Sequence, residues 1–543
     1  MTLAASYGVV AAVTAVLRVV PGLLWKYRGM DAGAHLLLRR QIRRHGMRLR
    51  IDGWPLVLDK RFTYPWAFHW LLALLPESWL RRVPPLPSAI CDVLHAVLVV
   101  WLAGHVVPIL APPVDPAVAG LVAGLLFGTS PALLVAGFGP RAYEVTPRPF
   151  GELLYTVMLA GALLYLIEGS PVGLGIALLA SGVLLLSSKF AGQVLLFCTP
   201  AMALVARDAR LLLLLPAAFL VAIGLSGGGY WWILRAQWVH LKHYRSTLQY
   251  QHPVLARRNR GRDLARAFGA VLCAPRHRAR WTRLVQLAEA HTVLQFLLRN
   301  VLWCAVALLL VTGLGGTGAA ASLAWRTGLL AWMLAPLVPF TLTSLRHYRF
   351  LGEAERYPEY GIAPAAILGT AVALGLPALE RNLIAVAYVA SVIVVEAYTI
   401  ARLRWNARRQ RVRELDEVIS FLGTKPATAV VIPLPWHVAF QLAPDVSCSF
   451  VAAMDASAWC RDYDSIFSSY PWIRPDAARW KSDYNASLVV VDCAALQAEG
   501  TPPYDFSSLR PRFGNGAFQV FDWPVDTAAL QQVPEASASG HAG

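Results

Sequence analysis

Long apolar runs separated by short charged segments constrain this chain more than any other feature of its sequence. The chain has 543 residues, is 57% hydrophobic and carries a formal net charge of +17. Apolar runs of about 20 residues match the hydrocarbon core of a bilayer, and a soluble domain cannot bury so many of them. The sequence therefore predicts a polytopic α-helical membrane protein.

We predict about eleven transmembrane helices from these runs. They lie near residues 4–25, 86–110, 117–138, 153–167, 172–186, 191–205, 211–225, 293–314, 320–342, 363–379 and 383–400. The first run has no basic segment before it and no evident cleavage site, so we expect it to be retained as a span. Residues 64–75 are apolar but too short to cross a membrane, which predicts a re-entrant or interfacial segment.

The chain becomes more polar after residue 402. Residues 407–422 have the pattern of an amphipathic helix, whereas residues 429–434, 487–493 and 518–523 have that of strands. We therefore predict a membrane module over residues 1–403, a small soluble α/β domain over 404–525 and a disordered tail over 526–543.

Residues 28–70, which follow the first span, contain the first candidate catalytic residue. Asp31 and His35 are four residues apart and can share one helical face. A carboxylate at the mouth of a membrane cavity is suited to general-base work. The alternative is that Asp31 caps the N-terminus of a helix. Residues 34–45 are rich in arginine, with Leu38 and Ile42 on one face, which predicts a helix lying flat among anionic lipid head groups.

A second acid, Glu144, lies between Arg141 and Arg148 in the segment RAYEVTPRPFGE. An acid here could orient an acceptor, or share a divalent cation such as Mg²⁺ or Mn²⁺ with Asp31. The alternative is an ordinary loop ion pair of small energetic value.

The segment SLRHYRFLGEAERYPEYG, residues 344–361, combines arginines with acids and tyrosines. Arginines bind phosphate through charge-assisted, bidentate hydrogen bonds, and a nearby acid can hold one of them in place. The candidates are Arg346, His347, Arg349, Glu353 and Arg356. The alternative is an aromatic and arginine belt that anchors the spans in the membrane. Lys189, at the mouth of a span, either reaches the same phosphate or extends to the membrane surface.

Counting the spans places the polar loops on one side of the membrane. The segments on that face are the first loop, the C-terminal region and four further loops, at residues 139–150, 187–190, 230–291 and 344–361. The positive-inside rule alone would place it in the cytoplasm. The sequence contains neither a Walker A motif nor a dinucleotide-binding glycine motif, so a nucleotide-sugar donor is not supported. No basic domain stands apart from the spans, which excludes nucleic acid as the expected partner.

Four segments carry a resemblance to a known superfamily: GMDAGAHLLLRRQIRRHG, YPWAFHWLLALLP, PRAYEVTPRPFGELL and RHYRFLGEAERYPEY. Over residues 4–400 the chain resembles the GT-C superfamily of polytopic membrane glycosyltransferases. This superfamily includes protein mannosyltransferases, aminoarabinose transferases and the catalytic subunits of oligosaccharyltransferases. The resemblance implies that Asp31 is the catalytic base and that Glu144 matches the second acid. The residues expected to bind substrate are His35, Tyr64, Arg141, Arg148, Lys189, Arg346, His347, Arg349, Glu353 and Arg356.

The resemblance also implies the reaction and its partners. It implies transfer from a polyprenyl-phosphate-linked sugar to a hydroxyl of a glycan, lipid or protein, with inversion at the anomeric carbon. It places the active site and the C-terminal domain on the exterior face of the cell membrane, against the positive-inside rule. The superfamily's doubled acids are not matched, because Ala32 follows Asp31 and Glu144 stands alone. The alternatives are a transporter or flippase for lipid or polysaccharide, and a scaffold subunit of the cell envelope.

Overall fold

The structure forms two compact units, each built from segments that are distant in the sequence. The computed structural model describes residues 2–24, 29–134, 144–249, 258–311, 320–407, 411–454, 477–495 and 509–523, with single residues 466, 473 and 506. The helical unit comprises Met1–Trp25, Pro65–Trp231 and Pro253–Arg408. The α/β unit comprises Lys26–Tyr64, Trp232–His252 and Arg409–Gly543. This division differs from the predicted boundary near residue 404, because the first loop shares a hydrophobic core with the C-terminal sheet.

Helices make up most of the described chain. In chain order they are α1 (Leu3–Leu23), α2 (Met30–Arg44), α3 (Ala67–Leu74), α4 (Glu77–Arg82), α5 (Leu86–Leu110), α6 (Pro116–Gly128), α7 (Pro131–Leu134), α8 (Arg148–Glu168), α9 (Pro171–Leu185), α10 (Lys189–Ala206), α11 (Leu214–Leu225), α12 (Tyr230–His243), α13 (Gly261–Cys273), α14 (Arg278–Glu289), α15 (Thr292–Arg299), α16 (Val301–Val311), α17 (Ala320–Leu334), α18 (Leu337–Ser344), α19 (Ile362–Gly375), α20 (Ala378–Ala407), α21 (Val412–Gly423), α22 (Val438–Leu442) and α23 (Ala477–Tyr484). Short 3₁₀ turns cover Ala209–Leu213, Arg349–Leu351 and Ala354–Gly361.

Within the described residues, six helices are long and apolar enough to cross a membrane. They are Leu3–Leu23, Leu86–Leu110, Arg148–Glu168, Lys189–Ala206, Ala321–Ser344 and Ala378–Trp405. Two bent helix pairs, Ala209–Leu225 with Tyr230–Ser246 and Thr292–Arg299 with Val301–Leu310, raise this number to eight if each pair is one span.

The remaining three of the eleven predicted spans coincide with shorter helices. These are α6, α9 and α19, and they have 13, 15 and 14 residues. At about 1.5 Å per residue, none of them reaches the roughly 30 Å of a hydrocarbon core. The number of about eleven spans therefore stays a prediction.

A buried ion pair joins the first helices of the helical unit. Arg18 Nε lies 2.7 Å from Asp92 Oδ2, and both side chains are almost fully buried. The same guanidinium donates through Nη2 to the carbonyl of Gly128 at 3.0 Å. Charged groups far from water must be paired in this way, because an isolated charge in an apolar interior is costly. The pair fixes α1, α5 and α6 together.

The α/β unit contains a mixed five-stranded sheet. Its strands are β1 (Val430–Leu434), β2 (Ser449–Phe450), β3 (Ala486–Asp492), β4 (Phe513–Gly514) and β5 (Phe518–Asp522), in the spatial order β2-β1-β3-β5-β4. β1 runs parallel to β2 and to β3, whereas β5 runs antiparallel to β3 and to β4. The apolar runs that predicted strands at residues 429–434, 487–493 and 518–523 form β1, β3 and β5.

The first loop is part of the same α/β unit. Leu37 and Leu38 of α2 belong to a core that also contains Val431 of β1 and Val490 of β3. Ile42 is also buried. The apolar face that predicted a helix lying flat among lipid head groups is therefore covered by protein. Periodicity identifies which face of a helix is apolar, but it does not identify what covers that face.

Candidate functional site

The candidate residues fall into two groups, one in each unit. Asp31, His35 and Tyr64 belong to the α/β unit, and the candidates from Glu144 onward belong to the helical unit. Arg141 lies in residues 135–143, outside the described part of the chain. Each group is considered by itself.

Asp31 lies in the first turn of α2 and is exposed. Gly29 is the N-cap residue of α2, so Asp31 does not have the capping role that was its alternative interpretation. A carboxylate in the first turn is stabilised by the helix dipole. No described residue forms a hydrogen bond or an ion pair with the Asp31 carboxylate. The side chain is thus accessible to a reactant.

His35 and Tyr64 lie beside each other in the α/β unit. Their ring centroids are 6.3 Å apart, at an interplanar angle of 57°. His35 is buried, whereas Tyr64 is partly exposed. The burial of His35 favours a packing role, which was one of the two roles considered for it, and it leaves Tyr64 as the accessible ring of this pair.

In the helical unit, the segment around Glu144 is fixed to the first turn of α5. Ser88 Oγ donates to the carbonyls of Glu144 and Thr146, at 3.3 and 3.4 Å. The Glu144 side chain is buried. α8 begins directly afterwards at Arg148, whose side chain is also buried. The two charged residues that flank this turn therefore point into the protein and away from bulk water.

The late loop, residues 344–361, packs against the N-terminal ends of α8 and α10. Phe190 of α10 contacts Tyr357 and Tyr360, with ring centroids 4.8 and 6.1 Å apart. A Cβ atom on Gly151 of α8 would lie 3.3 Å from Tyr360 Oη and 3.1 Å from the Cβ of Ala191. These three elements pack so closely that a side chain at position 151 would require its neighbours to shift by a few tenths of an ångström. The described part of the predicted loop 139–150, residues 144–150, therefore meets the predicted loops 187–190 and 344–361 within the helical unit.

The short helix α3 reaches the same region. The backbone N–H of Ala67 donates to the carbonyl of Leu186 at 2.8 Å. The ring of Phe68 lies 6.0 Å from that of Phe150. Residues 64–75 were predicted to be re-entrant or interfacial because of their length. The helix formed there has only eight residues and packs beside the turn that precedes α10.

Glu353 lies close to two arginines, one in the late loop and one at the start of α8. It forms an ion pair with Arg356, and its Oε2 lies 3.8 Å from Nη2 of Arg148. Arg356 also lies over the ring of Phe190, at 5.8 Å from the centroid. The expectation that Glu353 holds an arginine in place is thus consistent with the geometry. It also means that Arg356, a predicted phosphate-binding residue, and Arg148, a predicted substrate-binding residue, are partly neutralised by one carboxylate.

A second ion pair in this region involves a residue that the sequence did not single out. Arg258 Nη2 lies 3.0 Å from Glu355 Oε1, and the two side chains are 4% and 3% exposed. Arg258 Nη1 also donates to the carbonyl of Gly352 at 3.1 Å. Nothing in the local sequence distinguishes Arg258 from the arginines around it, so only the tertiary structure reveals this role.

Asn259, next to Arg258 in the sequence, also contacts the late loop. Its Nδ2 donates to the carbonyl of Ser344 at 2.8 Å, and its Oδ1 accepts from the backbone N–H of Thr292 at 2.8 Å. The late loop is therefore held at its start by Asn259, which contacts Ser344, and near its middle by Arg258, which contacts Gly352 and Glu355.

The first residues of the late loop include two exposed side chains that could contact an anion. Arg346 and His347 are exposed, and neither forms an ion pair or a hydrogen bond with a described residue. Lys189 is the first residue of α10 and is partly buried. Arg349 begins a 3₁₀ turn, and its side chain lies outside the described part of the structure. Burial raises the pKa of Tyr357 well above its ordinary value, and the opposing effect of Arg356 is smaller, so its hydroxyl remains neutral.

A divalent cation was expected to be compatible with Asp31 and Glu144. Among the described residues, no group of three or more His, Cys, Asp or Glu side chains is arranged to hold a metal ion. A divalent cation shared by Asp31 and Glu144 therefore stays a prediction.

The comparisons with known proteins concern the fold. No family model matches the chain, and no curated protein matches it in sequence. Solved structures do match. An oligosaccharyltransferase from Archaeoglobus fulgidus, tethered to an acceptor peptide, aligns with a TM-score of 0.54 and 11% identity over 91% of this chain and 69% of that one.

ArnT from Cupriavidus metallidurans matches over nearly the full length of both chains. Its apo structure gives a TM-score of 0.52 and 13% identity, covering 96% of this chain and 98% of ArnT. Its complex with undecaprenyl phosphate gives 0.51 and 12%, covering 95% and 97%. At this level of identity the likeness establishes the fold. The predicted resemblance to GT-C membrane glycosyltransferases is thereby confirmed at the level of the fold.

Proposed function

We propose that this chain is a membrane glycosyltransferase that moves a sugar from a polyprenyl-phosphate-linked donor to an acceptor hydroxyl. The observation that carries the proposal is the near full-length fold likeness to ArnT bound to undecaprenyl phosphate. The fold likeness to an oligosaccharyltransferase, which also transfers sugar, supports the same reaction class. Because a shared fold does not by itself define an activity, the proposal also depends on the chemistry of the candidate residues.

Asp31 is the proposed general base. Its carboxylate is exposed in the first turn of α2, with no described partner competing for it. It removes the proton of the acceptor hydroxyl while the oxygen attacks the anomeric carbon of the sugar. The bond between that carbon and the phosphate oxygen breaks as the new bond forms, so the anomeric configuration is inverted. The products are the glycosylated acceptor and the polyprenyl phosphate.

Arg346 and His347 are the proposed contacts to the phosphate of the donor. Both are exposed and free of ion pairs within the described chain, unlike Arg148 and Arg356, which share Glu353. A phosphate leaving group gains negative charge in the transition state, and a nearby guanidinium stabilises that charge through charge-assisted hydrogen bonds. Because the leaving phosphate is a weak base, the reaction needs no general acid.

Glu144 and the remaining candidates have supporting roles in the proposal. Glu144 orients the acceptor, and Lys189 and Arg349 add positive charge for the donor. The acceptor is a glycan, a lipid or a protein on the exterior face of the cell membrane. The grouping of residues 144–150, 187–190 and 344–361 in the helical unit supports a donor site formed by these segments, because polar loops that converge next to membrane spans can receive an amphiphilic donor.

The proposal can be tested by direct transfer. The purified protein in lipid nanodiscs would be incubated with radiolabelled polyprenyl-phosphate sugars and a delipidated envelope extract as the acceptor. We expect the radiolabel to move into the extract with release of polyprenyl phosphate in equal amount. If folded protein neither transfers the label nor releases polyprenyl phosphate from any donor, the proposal is wrong. A change in the membrane side of the intact donor, without cleavage, would identify a flippase instead.

A further inference from the structure

The first loop does not merely lie near the C-terminal domain, because its helix α2 contacts that domain at the backbone. A Cβ atom built on Gly33 would lie 1.9 Å from the carbonyl oxygen of Phe440 and 2.7 Å from its carbonyl carbon. Phe440 belongs to α22, the short helix that follows β1. A side chain at position 33 cannot be accommodated by a rotamer change, since the obstructing atoms are backbone. Glycine is therefore required for α2 to approach α22 this closely.

The same face of α2 is held by apolar packing. Leu37 and Leu38 are 3% and 1% exposed, and they share one core with Phe440 and Leu442. Arg40 adds a peripheral contact, since its Nη2 lies 3.7 Å from Asp445 Oδ1. The helix is thus fixed to the C-terminal domain along about two turns.

The chain that follows α2 forms backbone hydrogen bonds with the domain. Phe450 of β2 donates its N–H to the carbonyl of Pro55 at 2.6 Å, and Val57 donates to the carbonyl of Phe450 at 3.0 Å. Leu58 then donates to the carbonyl of Ala452 at 3.2 Å. Leu56 therefore pairs with Phe450 of β2 as an isolated parallel bridge at the edge of the sheet, and residues 55–58 lie beside residues 450–452. The first loop that carries Asp31 is thus held by the C-terminal domain at α2 and again at residues 55–58.

Asp31 lies on a different side of α2 from these contacts. Residues two positions apart are separated by about 200° around an α-helix, so Asp31 and Gly33 face nearly opposite directions. This agrees with their burial, because Gly33 is buried whereas Asp31 is exposed. One side of α2 is bound by the domain, and the other presents the carboxylate.

We infer that the C-terminal α/β domain is the support that positions the catalytic carboxylate, and that Gly33 is the positioning residue through which it does so. The inference rests on the proposed role of Asp31 as the general base. A general base must lie within hydrogen-bond distance of the proton that it removes, and a misplacement of about 1 Å can lower the rate about 100-fold. The domain would therefore determine the rate of transfer without contacting the substrate.

The test compares Gly33→Ala with Gly423→Ala in the full-length protein. A Cβ atom on Gly423, at the end of α21, meets no atom within 4 Å, so this substitution is a matched control in the same unit. We expect Gly33→Ala to lower kcat between about 10- and 100-fold, with the donor KM unchanged. Gly423→Ala should retain the wild-type kcat.

A second substitution separates positioning from general damage to the fold. Asp31→Glu extends the carboxylate by one methylene, which lowers kcat in the wild-type background. In the Gly33→Ala background the longer side chain can compensate for a displaced helix, so the double variant should exceed Gly33→Ala in kcat. Such a non-additive recovery reports coupling between the two positions. Equal or lower kcat in the double variant would overturn the positioning role.

Arg40→Asp with Asp445→Arg provides the test if Gly33→Ala does not fold. Each single change places like charges against each other and should lower kcat, and the exchanged pair should recover it. A lack of effect on kcat in the single variants would also overturn the inference. An inactive wild-type protein would overturn the proposed function and the positioning role together. An active wild type with unaffected variants would overturn the positioning role alone.

Discussion

Individual charged residues in the late loop have different roles that their sequence does not reveal. Arg258 and Glu355 form a pair that is almost fully buried, whereas Arg346, two residues after Ser344, is exposed and unpaired among the described residues. The sequence predicted that this loop combines arginines with an acid that holds one of them, and Glu353 has that geometry. It could not identify Arg258, because burial and pairing are properties of the tertiary structure.

Removal of Glu355 should destabilise the helical unit. Glu355→Ala leaves the guanidinium of Arg258 buried without its carboxylate, which costs about 3–5 kcal/mol. The matched control is Glu77→Ala, since Glu77 pairs with Arg81 on the surface and the two side chains are 44% and 64% exposed. Loss of such an exposed pair should cost less than about 1 kcal/mol. Equilibrium unfolding in mixed micelles would measure both, and equal losses would contradict the structural assignment.

His437 should make the stability of the α/β unit depend on pH. Burial lowers the pKa of His437, and the opposing effect of the nearby Asp492 is smaller. The folded state then binds this proton less readily than the unfolded state, whose histidine pKa is about 6.5. Stability is therefore retained above that pH and is lost as the pH falls through it, by up to about 1.4 kcal/mol per pH unit. Unfolding measured above and below this pH should show a weaker dependence in His437→Gln, and an unchanged dependence would refute the assignment.

At the scale of secondary-structure elements, the sequence predicted which segments are helices or strands better than it predicted which segments pack together. The spans at residues 4–25, 86–110 and 191–205 match helices, and three apolar runs in the tail form β1, β3 and β5. Hydrophobic periodicity determines these assignments locally. The pairing of residues 55–58 with β2 was not predicted, because a contact across nearly 400 residues has no local signal in a single sequence.

This unexpected strand pairing gives a prediction for hydrogen exchange. Asp59 is buried and accepts from Trp54 Nε1 at 2.9 Å and from the backbone N–H of Met454 at 2.8 Å. Asp59→Ala removes the Oδ2 atom that accepts both hydrogen bonds and should lower the free energy of unfolding by about 2 kcal/mol. Peptides covering residues 50–60 and 447–454 should then lose exchange protection together, with Asp52→Ala as the exposed control. Loss of protection confined to residues 50–60 would contradict the pairing.

At the scale of the whole molecule, the sequence predicted the fold class, whereas the division into two compact units follows contacts that composition does not report. The membrane-spanning pattern and the GT-C resemblance led to the fold that the solved structures share. The predicted domain boundary near residue 404 followed a change in composition along the chain. Such a change cannot show that residues 26–64 group with residues beyond 409, because that grouping depends on contacts between distant segments.

The orientation of the whole molecule in the membrane can be tested directly by chemical labelling. In a background with all seven native cysteines changed to serine, single cysteines would replace Asp52, Tyr348 and Arg210. We expect a membrane-impermeant maleimide to label positions 52 and 348 on intact cells and position 210 only after lysis. The count of spans places the first loop and the late loop on the same face, and the superfamily resemblance implies that this face is exterior. Labelling of positions 52 and 348 from opposite sides would contradict the count, and exclusive labelling after lysis would place both loops inside.

The central claim is that Asp31 is the general base of sugar transfer. Its most direct test is the initial rate of transfer at saturating donor and acceptor for Asp31→Asn, compared with wild type and with Asp52→Asn from the same loop. The amide has the same shape as the carboxylate but cannot accept the proton. We predict that Asp31→Asn lowers kcat about 100-fold or more, while Asp52→Asn remains near wild type. A wild-type rate for Asp31→Asn would contradict the account.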